Sequence, residues 1–235
     1  MIGLVLAPLD DRALARPVEE AAGAGVPTVI IDSALQSNSA VSFVATDNGE
    51  GGRIAARRLG ELLKGKGKVL LLRYQEGSAS TREREEGFLS ELKEKYPGVA
   101  VVSSDQYAGV TRDTAKRASE NLLNRFGSEI DGVFTPNESS TAGMLLALQD
   151  MGRAGKVFFV GFDSNEAFLD ALRGGQMHGF VVQNPFRMGY LGVRTMVEHL
   201  RGRAVEKRVD TGVMLITPEN LDSDEVKGLI KPPAE

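Results

Sequence analysis

The sequence predicts an α/β fold in which parallel β-sheets are flanked by helices, and two observations support this prediction. First, apolar runs of strand length alternate with amphipathic stretches of helix length along most of the 235 residues. Second, several of these runs are apolar throughout and are followed directly by a polar residue, as residues 157–162 are by Asp163. Uniformly apolar strands are typical of parallel sheets that are covered on both faces. The polar residues then collect at the carboxyl edge of the sheet, where open α/β folds bind their ligands.

In the first half of the chain, strands are predicted over residues 2–6, 26–31, 42–46 and 66–72. The helices predicted between and after them cover residues 13–24, 47 to about 64, and 82–96. Gly25 and Pro27 end the first of these helices, and Pro97 ends the third. In the second helix, Leu59 and Leu62 lie on the apolar side.

The second half repeats the same alternation. Strands are predicted over residues 99–103, 132–135, 157–162 and 179–183, and helices over 111–126, 139–151, 166–172 and 186–200. Residues 207–216 are then predicted to be extended, residues 222–230 to form a short helix, and Pro232-Pro233 to end the chain. Alternation of this length indicates βαβ units.

Composition excludes several classes of function. The formal net charge of −4 argues against a nucleic-acid surface as the main feature of the protein. The chain has no cysteine and only two histidines, so we expect neither thiolate chemistry nor a histidine-rich metal site, and we predict no cofactor. No stretch approaches the roughly 20 apolar residues of a membrane helix. Residues 1–8 lack the basic start and long apolar segment of a secretory signal.

Two aspartates follow predicted strands and are candidate ligand contacts. Asp163 is the stronger candidate, and its alternative role is to cap the helix that follows through Ser164 and Asn165. Asp32 ends a strand in the same way before Ser33, and its alternative role is to form a turn through its own side chain.

Three further polar residues are candidates. Arg84 lies near the start of a predicted helix, where positive charge is unfavourable, so it either grips a ligand or pairs with a neighbouring glutamate. Asn137 follows a strand and either contacts a hydroxyl or caps the next helix. Gln183 also ends a strand, and glutamine is a poor capping residue.

No catalytic set accompanies these residues. The chain contains no nucleophile elbow, phosphate-binding loop or zinc-protease motif, and the Gly49–Gly52 stretch is too short for a dinucleotide fingerprint. His178 and His199 are interpreted as surface or structural residues. Strand-end aspartate, asparagine, glutamine and arginine side chains suit a neutral polyhydroxylated ligand, because each hydroxyl both donates and accepts hydrogen bonds. An isomerase or aldolase on the same sheet is the less favoured alternative.

Seven stretches of the chain together resemble a known family. They cover residues 7–10, 26–33, 46–52, 80–88, 133–138, 160–163 and 182–186, in the same order as in that family. The chain resembles the periplasmic sugar-binding proteins of ABC transporters, in the ribose-binding-protein branch that shares its fold with LacI-type effector domains. The resemblance implies two α/β lobes with the sugar bound between them.

The resemblance also implies lobe boundaries and site residues. The first lobe would comprise residues 1–47 plus 184–210, and the second residues 48–183 plus 211–235. The family's sugar-binding positions correspond to Asp32, Arg84, Asn137, Asp163 and Gln183. By the same resemblance, we expect a monomeric receptor for a monosaccharide or polyol, which closes on its ligand and is read by the permease of an ABC importer. The alternative is the effector domain of a LacI-type regulator without its DNA-binding headpiece.

Three departures from the family are visible. The first two βα units of the first lobe are missing, so the first lobe is expected to be incomplete, and a periplasmic or lipoprotein location would depend on a signal upstream. Ala7 and Ser33 stand where ribose binders carry asparagine and arginine, so the sugar need not be ribose. The stacking aromatic of the second lobe has two candidate positions, Tyr107 and the Gly109-Val110 pair.

Overall fold

The computed structural model describes residues 1–230, which form two compact units. Unit 1 contains Met1–Asp47, Glu76–Ser80 and Gln183–Val213, and unit 2 contains Asn48–Gln75, Thr81–Val182 and the chain from Met214 onward. The expected second lobe included residues 76–80, which here group with unit 1. Whether these units are the two lobes of a receptor stays a prediction. The predicted chain end at Pro232-Pro233 lies outside the described residues.

Unit 1 is built on a parallel sheet of four strands in the order β1-β2-β3-β9. The strands are β1 (Leu4–Leu6), β2 (Thr28–Ile31), β3 (Ser42–Ala45) and β9 (Arg208–Asp210), and the helices are α1 (Ala15–Gly23) and α7 (Pro185–Leu200). Val29 and Val44 are fully buried on this sheet and pack with Met196 of α7. Gly192 allows α7 to approach closely, because a Cβ atom there would lie 2.7 Å from the Ile31 side chain.

Unit 2 is built on a sheet of six strands in the order β10-β8-β7-β6-β4-β5. The strands are β4 (Gly67–Arg73), β5 (Val99–Tyr107), β6 (Gly132–Phe134), β7 (Phe158–Phe162), β8 (Gly179–Gln183) and β10 (Val213–Ile216). The helices are α2 (Asn48–Leu62), α3 (Ala79–Lys95), α4 (Arg112–Phe126), α5 (Glu138–Asp150), α6 (Glu166–Arg173) and α8 (Asp224–Ile230), with a short 3-10 turn at Gly127–Glu129. Five neighbouring strands of this sheet, β5, β4, β6, β7 and β8, run parallel to one another.

The predicted α/β class with parallel sheets is confirmed, and so is the expectation of strands buried on both faces. In unit 2, Leu70 and Leu71 point to opposite faces of β4, yet both are fully buried. Phe159 and Val160 of β7 show the same pattern. Covering both faces of these strands with helices removes their apolar side chains from water, which is the main source of stability for such a sheet.

Two predicted boundaries differ from the structure by three residues or more. Helix α3 begins at Ala79 rather than residue 82, because the Ser33 hydroxyl accepts a hydrogen bond from Ser80 N at 3.1 Å and satisfies part of the first turn. Strand β5 extends to Tyr107 rather than residue 103, because it stays paired with β4 past two irregularities in register. No helix within residues 1–230 is both long and apolar enough to span a bilayer.

Candidate ligand-binding site

The Arg84 side chain is a buried charged group at the carboxyl edge of the unit 2 sheet, with 2% of the residue exposed. Its Nε donates to Asn48 Oδ1 at 2.8 Å, and its Nη1 donates to the Pro136 carbonyl at 2.9 Å. The guanidinium also lies 3.9 Å from the centre of the Phe162 ring. Burying a charge is costly without such partners, so these contacts explain how the guanidinium is held over the ends of β6 and β7.

Arg84 lies in the second turn of α3 rather than at its first residues, because that helix begins earlier than predicted. The neighbouring Glu85 forms an ion pair with Arg73, with Arg73 Nη1 2.8 Å from Glu85 Oε2. The strand-end arginine of β4 therefore serves the structure of unit 2.

Asp163 directly follows β7 and adopts a left-handed backbone conformation, with φ of 66°. Its backbone N–H donates to the Val181 carbonyl at 2.7 Å, and its Oδ2 accepts the N–H of Glu138 at 3.0 Å. Glu138 is the first residue of α5, so Asp163 stabilises the start of that helix. The alternative predicted for Asp163 was a cap on the following helix, but α6 is capped by Asn165.

Asn137 caps α5, as the structural alternative predicted. Its Oδ1 accepts from the Ser140 N–H at 3.4 Å and from the Ser140 hydroxyl at 2.5 Å. Its Nδ2 donates to the Ser139 hydroxyl at 3.1 Å. Asn137 and Asp163 thus meet at the start of α5, one residue from the Pro136 carbonyl that Arg84 binds. Unit 2 brings these three candidates together at one edge of its sheet.

Close packing of α2 and α3 places Asn48 beside Arg84. A Cβ atom at Gly52 would lie 1.9 Å from the Arg84 carbonyl oxygen, and one at Gly87 would lie 2.2 Å from the Gly49 carbonyl oxygen. The two helix backbones therefore touch along a surface that only glycine permits. The glycine-rich stretch that was considered and rejected as a nucleotide loop is a helix-packing motif.

The other two candidates belong to unit 1. Asp32 follows β2 with φ of 66°, and its N–H donates to the Val44 carbonyl at 3.2 Å. Gln183 is the last residue of β8, and the following helix α7 is capped by Asn184, whose Oδ1 accepts the Arg187 N–H at 2.8 Å. Gln183 is therefore not the capping residue. Ser33, which is 3% exposed, is engaged with the start of α3.

Burial perturbs two ionisable groups near this edge. Glu85 is almost fully buried, and desolvation raises its pKa although the Tyr74 N–H and the Arg73 guanidinium favour its charged form. Burial also raises the pKa of the Tyr74 hydroxyl.

The sequence offered two positions for an aromatic residue that would stack on a sugar. Tyr107 ends β5 and is 42% exposed, whereas Val110 is 51% exposed.

Sequence reasoning missed Asn48 and Phe162 as parts of this site. Asn48 was predicted only as part of a helix start, and Phe162 only as the end of a strand. Asparagine has a low helix propensity, so its presence in the first turn of α2, beside three glycines in Gly49–Gly52, was the available signal.

Parallel α/β sheets that present aspartate, asparagine and arginine side chains at their carboxyl edges are typical of proteins that bind small ligands. Residues 2–204 match the family model described as "Periplasmic binding protein domain". The chain belongs to this family of periplasmic binding proteins, which confirms the resemblance and the receptor function predicted from the sequence.

Individual relatives agree with this assignment. The ribose import binding protein RbsB of Bacillus subtilis is 30% identical over 214 residues, which cover 91% of this chain and 68% of that protein. A xylitol-binding protein of Mycolicibacterium smegmatis is 28% identical, with 93% of this chain and 62% of that protein covered. The chain therefore spans about two thirds of the length of these relatives.

Solved structures show the same fold. A carbohydrate transporter solute-binding protein from Agrobacterium radiobacter, in complex with D-arabinose, is 38% identical with a TM-score of 0.92, covering 97% of this chain and 78% of that one. A solute-binding protein from Agrobacterium vitis with bound D-fucose is 33% identical, with the same TM-score of 0.92 and the same coverage of 97% and 78%.

Proposed function

We propose that the protein binds one neutral monosaccharide or polyol and delivers it to the permease of an ABC importer. The observation that supports this proposal is the group formed by Arg84, Asn137 and Asp163 at the carboxyl edge of the unit 2 sheet. It combines a buried guanidinium with a half-buried amide and a half-buried carboxylate at one corner of unit 2. Together they supply donors and acceptors in the mixture that vicinal hydroxyl groups require.

Each side chain has a defined part in this proposal. Arg84 donates to ring or hydroxyl oxygens, Asp163 accepts from hydroxyls, and Asn137 does both. Asp32 and Gln183, which belong to unit 1, are proposed as ligand contacts on the strength of the family resemblance alone. Carboxylates at two of the five positions disfavour an acidic ligand, because like charges repel in a desolvated site.

The ligand proposed is a monosaccharide or a related polyol, and it need not be ribose. Relatives of this chain are described with ribose, xylitol, D-arabinose and D-fucose. Two side chains support a difference from ribose binders. Ala7 offers no side-chain hydrogen bond, and the Ser33 hydroxyl accepts from Ser80 N at 3.1 Å.

The finer features of the proposal follow from the family. The protein acts as a monomer outside the cytoplasm and carries out no reaction on its ligand. Its immediate partner is the permease. The mode of action is binding and release, since the polar group contains no nucleophile paired with a base.

Isothermal titration calorimetry with D-arabinose, D-fucose, D-ribose and xylitol tests the proposal. We expect one of the neutral ligands to bind with one-to-one stoichiometry. Arg84→Ala is expected to weaken that binding by about 2–3 kcal/mol, the value of a charge-assisted hydrogen bond. Arg173→Ala is the matched control, because the Arg173 side chain is exposed and forms ion pairs with Asp170 and Asp222. Unchanged affinity in Arg84→Ala, or tighter binding of a sugar phosphate than of any neutral sugar, would contradict the proposal.

A further inference from the structure

Asn48 is a buried polar residue whose contact is not explained by the helix it belongs to. It is the first residue of α2 and of unit 2, and only 2% of it is exposed. A capping side chain would accept from an N–H of its own helix. The Asn48 Oδ1 instead accepts from Arg84 Nε on α3, at 2.8 Å and 36 residues away.

The contact with Asn48 holds the guanidinium at Nε, a different atom from the one that the Pro136 carbonyl holds. The Pro136 carbonyl holds Nη1, and the Phe162 ring lies against the face of the group at 3.9 Å from its centre. The ring restricts the plane of the guanidinium but allows rotation within that plane. Bonds at Nε and at Nη1 together prevent this rotation, because they hold two separate points of a rigid planar group.

The chemical type of the partner also matters. A carboxylate at residue 48 could form a two-point ion pair with the guanidinium and neutralise its charge. A neutral amide oxygen orients Arg84 without adding a negative charge of its own. The glycine contact between α2 and α3, at Gly52 and Gly87, brings the amide within reach without any longer side chain.

We propose that Asn48 is a positioning residue that orients the Arg84 guanidinium for sugar binding. The inference rests on the proposed function for its connection to sugar, whereas the orientation of Arg84 is a property of the protein without ligand. Asn48 acts through Arg84 and is not itself a sugar contact.

Two measurements on the full chain test the proposal. The first is the hydrogen-exchange rate of the Arg84 Nε–H in nitrogen-15 correlation spectra, with the signal assigned from its loss in Arg84→Lys. In the ligand-free protein, Asn48→Ala is expected to speed this exchange, whereas Asn48→Asp, which keeps an acceptor, is expected to keep it slow. Asn220→Ala is the matched control, because Asn220 bonds to Thr217 N and Leu215 O in the same unit, away from Arg84.

The second measurement is a double-mutant cycle on the affinity for D-arabinose, or for whichever ligand of the calorimetric panel binds. Asn48→Ala is expected to weaken binding about tenfold in the presence of Arg84, as for loss of one buried hydrogen bond, and to have no effect in Arg84→Ala. Thermal melting of each variant shows whether it is folded.

The outcomes are distinguishable. Unchanged Nε–H exchange in Asn48→Ala would overturn the proposal, and so would equal weakening of sugar binding with and without Arg84. If the unmodified protein binds no sugar, the proposed function fails. The exchange measurement then still decides whether Asn48 orients Arg84.

Discussion

Asp32 and Asp163 occupy equivalent positions in two different sheets, each at the residue directly after a strand. Each has φ of 66° and follows an inner strand of its own sheet, β2 or β7. Each donates its N–H to the next strand along the chain, to the Val44 carbonyl at 3.2 Å and to the Val181 carbonyl at 2.7 Å. The left-handed conformation is unfavourable for most side chains, but aspartate and asparagine tolerate it. Both units thus use the same strained turn to present a carboxylate at the end of a strand.

The carboxylate and the backbone conformation of Asp163 can be tested separately. Asp163→Asn is expected to keep near-normal stability, because asparagine tolerates φ of 66° and its Oδ1 can still accept from Glu138 N. Asp163→Ala is expected to lose about 1–2 kcal/mol more of unfolding free energy, since alanine is strained in this conformation. Both variants should bind sugar at least about tenfold more weakly. Urea unfolding and calorimetry provide the two measurements, and equal stability of the two variants would contradict the expected backbone strain.

The sequence predicts the strands and helices better than it predicts which side chains contact one another, and these residues show why. The strands and helices were predictable because burial imposes a period on apolar residues, and the same pattern correctly placed Asp32, Asp163 and Asn137 just after strands. The partners of these residues were not predictable. Asp163 stabilises α5 rather than α6, and Asn48 meets Arg84 only because two helices touch at glycines. Such contacts depend on tertiary packing between segments far apart in sequence.

Substitution of glycine by alanine is expected to have opposite effects at the contact between α2 and α3 and at an open position of α7. Gly52→Ala is expected to destabilise the protein by about 3 kcal/mol or more, because its Cβ would lie 1.9 Å from a backbone oxygen. Gly189→Ala, within α7, meets nothing within 4 Å and is expected to stabilise by about 0.4–1 kcal/mol. Chemical denaturation of the two variants checks the difference in sign. A near-neutral Gly52→Ala would show that the helices can separate without cost.

The buried Glu85 predicts a loss of stability as the pH rises. Desolvation raises its pKa above 4.5, so between pH 4.5 and the folded-state pKa the folded protein binds more protons than the unfolded chain. Unfolding free energy must then fall as the pH increases through this window. Glu85→Gln removes this contribution, and its stability is expected to depend less steeply on pH there. Urea unfolding from about pH 4 to pH 7 measures the slope. Glu206→Gln, at an exposed position, is the control, and equal slopes for Glu85→Gln and the unmodified protein would contradict the prediction.

His178 predicts a dependence of the opposite sign. Its Nδ1 accepts from the Phe159 N–H at 3.2 Å, and its ring packs edge-on against Phe158. A proton on Nδ1 would remove this hydrogen bond. Burial, followed by the positive charge of Arg58, lowers the pKa of His178 below its usual 6.5. Below pH 6.5 the unfolded chain therefore takes up a proton that the folded protein does not, so the stability falls as the pH decreases towards the folded-state pKa.

His178→Asn isolates this effect, because the asparagine Oδ1 can replace Nδ1 as the acceptor for Phe159 N but does not titrate. The variant is expected to lose less stability than the unmodified protein between about pH 6.5 and pH 5. His199→Asn, in α7 of unit 1, is the matched control and should follow the unmodified protein. If His178→Asn kept the full acid sensitivity, the loss of stability would have to come from carboxylates. The opposite slopes assigned to Glu85 and His178 allow the two contributions to be separated in a double variant, because the two side chains share no contact and their effects should add.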